Sequence, residues 1–310
     1  MAQAEAISAL EVAADGVRQR QRGLWSDALH RLSRNKFAMA GLILLVAIIA
    51  LAVLGNYVDA VQRYDPRVQE FESRQSPSWD HWFGTDQLGR DSWARVLQGL
   101  WVSLRVGIGV AIVVLFIGLI IGGLAALGGR TVDNMAMRFT DLAYAFPDLL
   151  FIILLRAALQ DNDWPILGDP VAQMIVAISF VGWVTVARLV RGQMLSIAQR
   201  DFVLAARAMG ASNLRIVYTH MLPNTLGPVI VAVVFAIPLA IFAEAALGYI
   251  GLSVPQPQAS LGRLVSDGNK FIEVQAWLVI IPAAAIALLM LCFTFLGDGL
   301  RDALDPRARH

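Results

Sequence analysis

Two ionisable residues lie inside long apolar runs of this sequence, and they are the first candidates for chemistry. Arg156 and Glu244 are each surrounded by aliphatic side chains, where a charge is costly and usually functional. Both stand towards one end of their runs. That position favours an outer gate, a pore contact or a structural pairing over a proton relay, which is the alternative.

Other reactive side chains do not form a pattern that predicts catalysis. Cys292 is the single cysteine, and His30, His81, His220 and His310 are scattered, so no metal-ligand spacing is present. The sequence has no glycine-rich phosphate loop and no nucleophile with a plausible histidine base. We therefore predict no catalytic residue, no metal site and no cofactor bound by this chain.

The composition predicts an integral membrane protein built from helices. Hydrophobic residues make up 57% of the 310 residues, charged residues 16%, and the mean hydropathy is +0.60. A bilayer-spanning helix needs roughly 20 apolar residues, and six runs meet or approach that length, whereas membrane strands would alternate in polarity. The predicted spans are 37–57, 102–127, 141–159, 172–190, 227–248 and 276–296. The net charge of +1 gives no indication of nucleic acid binding.

Basic residues predict the orientation of these spans. Residues 1–36 are interpreted as a cytoplasmic segment, in which Leu24, Trp25 and Ala28 recur at helical spacing among arginines. This pattern predicts an amphipathic helix on the membrane surface, or a basic flank that only orients the first span. The segments assigned to the inside are richer in Lys and Arg than the short loop at 160–171, which contains neither. Both termini are therefore expected in the cytoplasm.

The outer loop, 58–99, is predicted to be folded because it holds Trp79, Trp82, Phe83 and Trp93 among turn-forming residues. We expect these aromatic residues to pack a small cap or to lie at the membrane interface. Within the loop, the stretch 84–91 reads as a tight turn in which Asp86 or Asp91 caps the following helix. Small residues in the spans predict close helix packing.

A polar, basic segment at 199–223 separates the fourth and fifth spans. Asp201 is expected to cap a helix over 202–209, Gly210 to take the left-handed closing position, and Ser212 to cap a second helix that Pro223 ends. Its apolar side is predicted to hold Phe202, Ala205, Ala206 and Met209. Only Arg200, Arg207 and Arg215 carry full positive charge here, too few for duplex binding. The segment is predicted to be a helical knob for a protein partner.

Several motifs then resemble one family, in order along the chain. Ala205-Ala206-x-x-x-Gly210, followed by His220-x-Leu222-Pro223-Asn224, is similar to the coupling motif of ABC importer permeases. The outer stretch Phe83-Gly84-Thr85-Asp86-x-x-Gly89-Arg90-Asp91, the triplet Ala145-Phe146-Pro147, the stretch Glu244-Ala245-x-Leu247-x-x-Ile250-Gly251-Leu252 and the stretch 297–307 resemble the C-type permease subunit of dipeptide and oligopeptide importers.

This resemblance implies a type I importer permease bundle with a transmembrane domain at 100–298 and a cytoplasmic tail at 299–310. It implies a pore shared with a second permease subunit, two ATPase subunits that bind ATP and Mg²⁺, an extracytoplasmic binding protein, and location in a bacterial inner membrane among its lipids. The coupling residues it implies are Asp201, Phe202, Leu204, Ala205, Ala206, Arg207, Met209, Gly210, Ala211, Arg215, His220 and Pro223.

The sequence departs from the family pattern at one position. The motif opens with glutamate, and the matching residue here is Leu204, so an ion pair from this site to an ATPase cannot form. A partner loop is a candidate source of the missing acid. The cargo stays open between peptides, nickel chelates and another small solute, and a proton-coupled secondary transporter is the more distant alternative.

Overall fold

The computed structural model describes residues 24–160 and 168–305, and within them all regular structure is helical. Most of the predicted cytoplasmic segment 1–36, up to residue 23, and residues 306–310 of the predicted tail lie outside these residues. The helices are α1 Leu24–Arg34, α2 Lys36–Tyr57, α3 Asp59–Gln62, α4 Ser92–Leu127, α5 Gly129–Tyr144, α6 Asp148–Gln160, α7 Pro170–Ala198, α8 Asp201–Ala208, α9 Asn213–Ile216, α10 Leu222–Tyr249, α11 Leu261–Asn269 and α12 Trp277–Leu304.

Five helical stretches are long and apolar enough to cross a membrane, which confirms the prediction of a helical membrane protein. They are α2, α4, α7, α12 and the continuous stretch Asn213–Tyr249. A sixth crossing arises only if α5 and α6 are taken together, and these two helices meet at 86°. Up to six spans are therefore present, as predicted.

The third predicted span, 141–159, is wrong as a single straight helix. Its first residues belong to α5, whose charged residues make it amphipathic, and only α6 is apolar. The chain breaks at 145–147 because Pro147 has no amide hydrogen to donate and disfavours a helical conformation at Phe146. The apolar helix α6 therefore begins at this break.

Close packing of α4 against α7 forms the centre of the bundle. A side chain at Gly118 would lie 2.5 Å from Val186 Cγ1, and one at Gly122 would lie 2.4 Å from the Ala187 carbonyl oxygen. Glycine is required at both positions because any larger residue would separate the two helices, as expected for small residues in membrane helices. A second apolar cluster joins α2, α4 and α12.

The outer loop folds into a cap over the end of α4. Trp93 donates a hydrogen bond from Nε1 to the Val61 carbonyl oxygen at 2.9 Å, and its ring packs against Trp82 and Phe83 with centroids 5.0 and 5.1 Å apart. Trp79, in contrast, is 91% exposed. The predicted aromatic packing thus holds for three of these four residues.

Candidate functional site

The segment 199–223 lies at the end of the bundle that also holds α1 and the last turn of α12. A cleft there is lined by side chains from α1, α8, the start of α10 and the end of α12, including Asp27, Phe202 and Leu304. Gly210 adopts φ +82°, the left-handed conformation predicted for it, and a β-carbon at this position would have no neighbour within 4 Å. Ala211 follows as a half-buried residue.

The caps of the two short helices differ from the prediction at one end. Ser212 accepts a hydrogen bond from the Arg215 amide at 3.4 Å, as expected for a cap. Asp201, however, is the first helical residue of α8; Arg200 occupies the cap position and makes no side-chain cap hydrogen bond. The prediction that Asp201 caps α8 is wrong, and its carboxylate instead lies in the first turn, where it complements the helix dipole.

Pro223 does not end the second helix, contrary to the prediction. A π-helical turn over Val217–Met221 follows α9 and leads directly into α10, so that helix runs without a loop from Asn213 to Tyr249. Proline is tolerated because it lies in the first turn of α10, next to the changed hydrogen-bond register of the π turn. The segment is therefore joined rigidly to a membrane span.

One face of the segment is buried in the bundle and the other is exposed. Val203 and Ala206 of α8 and Ile216 and Met221 are 0%, 6%, 1% and 2% exposed and pack into the core around α4 and α7. Ala206 thus points inward, so its predicted place beside Phe202, Ala205 and Met209 is wrong. The helical period explains this, since Val203 and Ala206 are three residues apart. The large apolar residues on the exposed face are Phe202, Leu204, Met209, Leu214 and Tyr218.

The exposed face, which we call the knob, has a mixed rim. Phe202 is 43% exposed, Leu204 48% and Met209 82%. The Phe202 ring packs near His220, with ring centroids 6.0 Å apart. The side chains of Ala205, Arg207 and Arg215 are also exposed. This combination of exposed apolar residues and flanking arginines suits a protein partner.

At the opposite end, the outer-loop signature forms a buried ion cluster. The Asp86 carboxylate accepts hydrogen bonds from Arg90 Nε at 2.8 Å, from the Leu88 and Arg90 amides at 2.8 and 3.0 Å, and from Arg95 Nη1. Arg90 and Arg95 are each 1% exposed. Asp267 of α11 lies 3.9 Å from Arg95 Nη2, so the cluster joins the loop to α4 and α11. The sequence did not single out Arg95 or Asp267.

The remaining signature residues hold the loop in shape. Asp91 caps α4 by accepting from the Ala94 amide at 2.9 Å and also contacts His81 Nδ1 at 2.8 Å. Thr85 donates to the Glu72 carbonyl oxygen at 2.7 Å. Gly84 and Gly89 have φ +70° and +72°, and a side chain at Gly89 would lie 2.1 Å from the Phe71 carbonyl oxygen. Asp91, and not Asp86, is therefore the cap.

Glu244 and Arg156 are brought to the same end of the bundle without a direct ion pair between them. Glu244 is fully buried and accepts from Ser103 and Ser253 hydroxyls at 2.8 and 2.9 Å. Arg156, 2% exposed, donates to Gln173 Oε1 at 2.5 Å and to the Ser253 carbonyl oxygen at 3.4 Å. Ser253 therefore links the two charges.

The polar partners of this cluster come from distant parts of the chain, and sequence reasoning missed them. Ser103 is on α4, Gln173 on α7, and Ser253 and Ser260 on the loop between α10 and α11, where the hydroxyl oxygens of Ser253 and Ser260 share a hydrogen bond at 2.9 Å. Serines in apolar runs are common and give no signal by themselves. The one indication in the sequence was Glu244 itself, because a carboxylate buried in an apolar run needs hydrogen-bond donors.

Comparisons with known proteins agree with this architecture. Residues 115–310 match the family described as binding-protein-dependent transport system inner membrane component, and residues 23–77 match the N-terminal transmembrane domain of oligopeptide transport permease C. A Bacillus subtilis oligopeptide transport system permease protein is 39% identical over 96% of this chain and 94% of its own. A dipeptide transport system permease protein of the same organism is 40% identical over 96% and 90%.

Solved structures of lower identity share the fold. A methionine ABC transporter in an inward-facing conformation matches with a TM-score of 0.55 and 20% identity, covering 68% of this chain and 96% of that one. An amino acid ABC transporter structure matches with a TM-score of 0.52 and 18% identity, covering 66% and 92%.

The family matches and the helical bundle shared with solved importers identify this chain as a membrane subunit of an ABC importer. More narrowly, the chain belongs to the family of binding-protein-dependent inner membrane transport components, in its C-type peptide permease branch. It is an integral inner membrane protein, and its relatives are named as permease subunits rather than as enzymes.

Proposed function

We propose that this chain forms half of the translocation pathway of an ATP-driven importer for dipeptides or oligopeptides. The observation that carries the proposal is the knob, an exposed apolar surface built on a helix that continues into a membrane span. The names of the relatives, oligopeptide and dipeptide permeases at 39% and 40% identity, support the cargo. A second permease subunit completes the pathway, and an extracytoplasmic binding protein supplies peptide.

The knob is proposed to dock into a groove on an ATPase subunit. Two such subunits bind ATP and Mg²⁺, and closure of their dimer pushes the knob. Phe202, Leu204 and Met209 supply the apolar contact, while Arg207 and Arg215 face the rim. Since Leu204 replaces the family's acid, apolar contact takes the place of an ion pair on this side, and the second permease subunit supplies the acid.

The orientation follows from this docking. If the knob meets ATPases, then its end of the bundle is cytoplasmic, and α1 and the end of α12, which line the same cleft, are cytoplasmic too. The outer loop and the 250–260 loop then face the binding protein. Glu244 and Arg156, which converge on Ser253 in that second loop, are proposed to hold the outer gate.

Reconstitution of the whole complex in liposomes tests the proposal. We expect uptake of labelled trialanine that requires ATP inside the vesicle, both permeases, the ATPases and the peptide-loaded binding protein. Vesicles with a non-hydrolysable ATP analogue, or with an ATPase subunit whose catalytic residue is substituted, are the controls. Uptake driven by a proton gradient without ATP would overturn the proposal.

A further inference from the structure

A large cavity opens beside the break between α5 and α6. It is an open cavity of about 1400 Å³, a volume that includes space open to solvent, and it is lined by the end of α5 and by α4, α6, α7 and α10. Val110 and Val114 lie near the middle of α4, and the residues of α7 that line it, 178–186, lie near the middle of that helix. The cavity is therefore at mid-depth in the bundle, away from both the knob and the outer loop.

The lining of this cavity is apolar apart from a few groups. Leu149, Ile152, Phe235, Leu239 and Phe242 are typical members of the lining. Asp148 is the one carboxylate among the residues that line it. Such a surface accepts side chains of many kinds, while a single charge at mid-depth is placed to recognise one feature that all cargo shares.

Asp148 is not paired with the cations that lie near it in the bundle. Arg188 of α7 binds Asp141 at 2.7 Å and lies over the Tyr144 ring at 4.9 Å from its centroid. Arg191 binds both carboxylate oxygens of Asp133. No ion pair of Asp148 is present within residues 24–160 and 168–305. Arg188 and Arg191 of α7 thus pair with carboxylates of α5 and not with Asp148.

Asp148 lies in the first turn of α6, and its side chain is exposed at the wall of the open cavity. The first amides of a helix carry partial positive charge, which stabilises a nearby anion by about 0.3–1 kcal/mol. α6 begins directly after the break at Pro147. The break therefore places a stabilised negative charge at the cavity wall.

We propose that Asp148 binds the amino-terminal ammonium group of the peptide as it passes through the cavity. This inference rests on the proposed function, since it requires peptide as cargo. Every peptide carries this ammonium group whatever its sequence, and the apolar walls receive its side chains. The carboxyl end is repelled by Asp148, so that the peptide is oriented with its amino end at the α5–α6 break.

Uptake by the reconstituted complex gives the first test. We expect Asp148→Asn to lower trialanine uptake about tenfold, equivalent to about 1.4 kcal/mol, while the stimulation of ATPase activity by the loaded binding protein stays unchanged. Asp148→Glu keeps the charge and is expected to restore most of the uptake. Asp141→Asn, a carboxylate of α5 outside the cavity, is the matched control. Unchanged uptake in Asp148→Asn, or a parallel fall in assembly, ATPase activity and uptake, would overturn the inference.

A zero-length cross-link gives the second test. A membrane-permeable carbodiimide, added to the assembled complex with trialanine-loaded binding protein, is expected to join the trialanine amino group to Asp148 as an amide that mass spectrometry detects. The adduct should be absent in Asp148→Asn and present in Asp141→Asn. An amide from Asp148 to the second permease subunit, or no trialanine adduct at Asp148, would contradict the inference. Failure of wild-type uptake with ATP would instead refute the proposed function itself.

Discussion

The ion cluster around Asp86 allows a quantitative prediction for Asp86→Asn. The carboxylate accepts from Arg90 Nε and from the Leu88 and Arg90 amides at 2.8–3.0 Å, and also from Arg95. An asparagine keeps the shape but removes the charge, and its amide nitrogen would face a guanidinium nitrogen, donor against donor. The substitution therefore leaves two buried guanidinium groups without their shared anion.

The size of the effect follows from burial. The Arg90 and Arg95 side chains are 1% exposed and that of Asp86 is 11% exposed. Removal of one partner from such a buried pair costs roughly 3–5 kcal/mol. Asp267, 3.9 Å from Arg95, compensates part of the loss, so we expect the low end, about 3 kcal/mol. The control Asp65→Asn affects an exposed carboxylate that accepts from the Arg67 amide, and should cost less than about 0.5 kcal/mol.

Limited digestion with trypsin in detergent measures the opening of the loop directly. Trypsin can cut after Arg90 and Arg95 only when the cluster unfolds, so the cleavage rate reports the fraction of molecules in which the loop is open. A loss of about 3 kcal/mol predicts cleavage at these sites roughly a hundredfold faster. If Asp86→Asn and Asp65→Asn are cleaved at the same rate, the cluster does not hold the loop and the reasoning is wrong.

Three further predictions concern the knob and the gate. Gly210→Trp should abolish uptake because it adds a bulky ring to the docking side of the knob, and the open space around Gly210 keeps that ring out of the core although a side chain at φ +82° is strained; co-purification with the ATPases and uptake are measured together, and loss of both would point to misfolding. Leu204→Glu places an acid at a site 48% exposed and should leave ATPase stimulation unchanged, because apolar contact and the acid of the second permease subunit already serve the docking; a rise in stimulation would show that this side lacks an ion pair that the partner does not replace. Glu244→Ala should destabilise the protein by about 1–3 kcal/mol because buried serine hydroxyls lose their acceptor, whereas Glu244→Gln should cost less. Thermal unfolding in detergent tests this, since the midpoint should fall further for Glu244→Ala than for Glu244→Gln.

The spans could be predicted from the sequence because membrane helices are marked by length and hydropathy alone. The α5–α6 break is the exception, and Pro147 signalled it only in part, since prolines also occur within intact spans: Pro238 lies inside α10 and Pro282 inside α12. Which proline breaks a helix depends on neighbours that replace the lost hydrogen bond.

The sequence predicted where the knob lies in the chain more accurately than it predicted which side chains face inward and where the helices end. Gly210 and Ser212 take the backbone roles that their residue types favour, because these are local preferences. The inward direction of Ala206 and the passage through Pro223 depend on packing against α4 and α7 and on the π turn, which local preferences do not contain. The serines around Glu244 are separated from it by up to 141 residues in sequence, so only the folded chain brings them together.

The π-helical turn over Val217–Met221 fixes the angular phase between the knob and the span. An α-helix turns by about 100° per residue, and a π turn contains one residue more than the α-helical turn it replaces. Loss of a single residue within this turn would therefore restore an ordinary α-helical turn and leave the knob facing nearly the same way, whereas loss of one residue from the α-helical part of α10 would rotate the knob by about 100° about the axis of that helix. The direction in which a push on the knob reaches the membrane thus tolerates a change of length in the π turn and not in the rest of the helix.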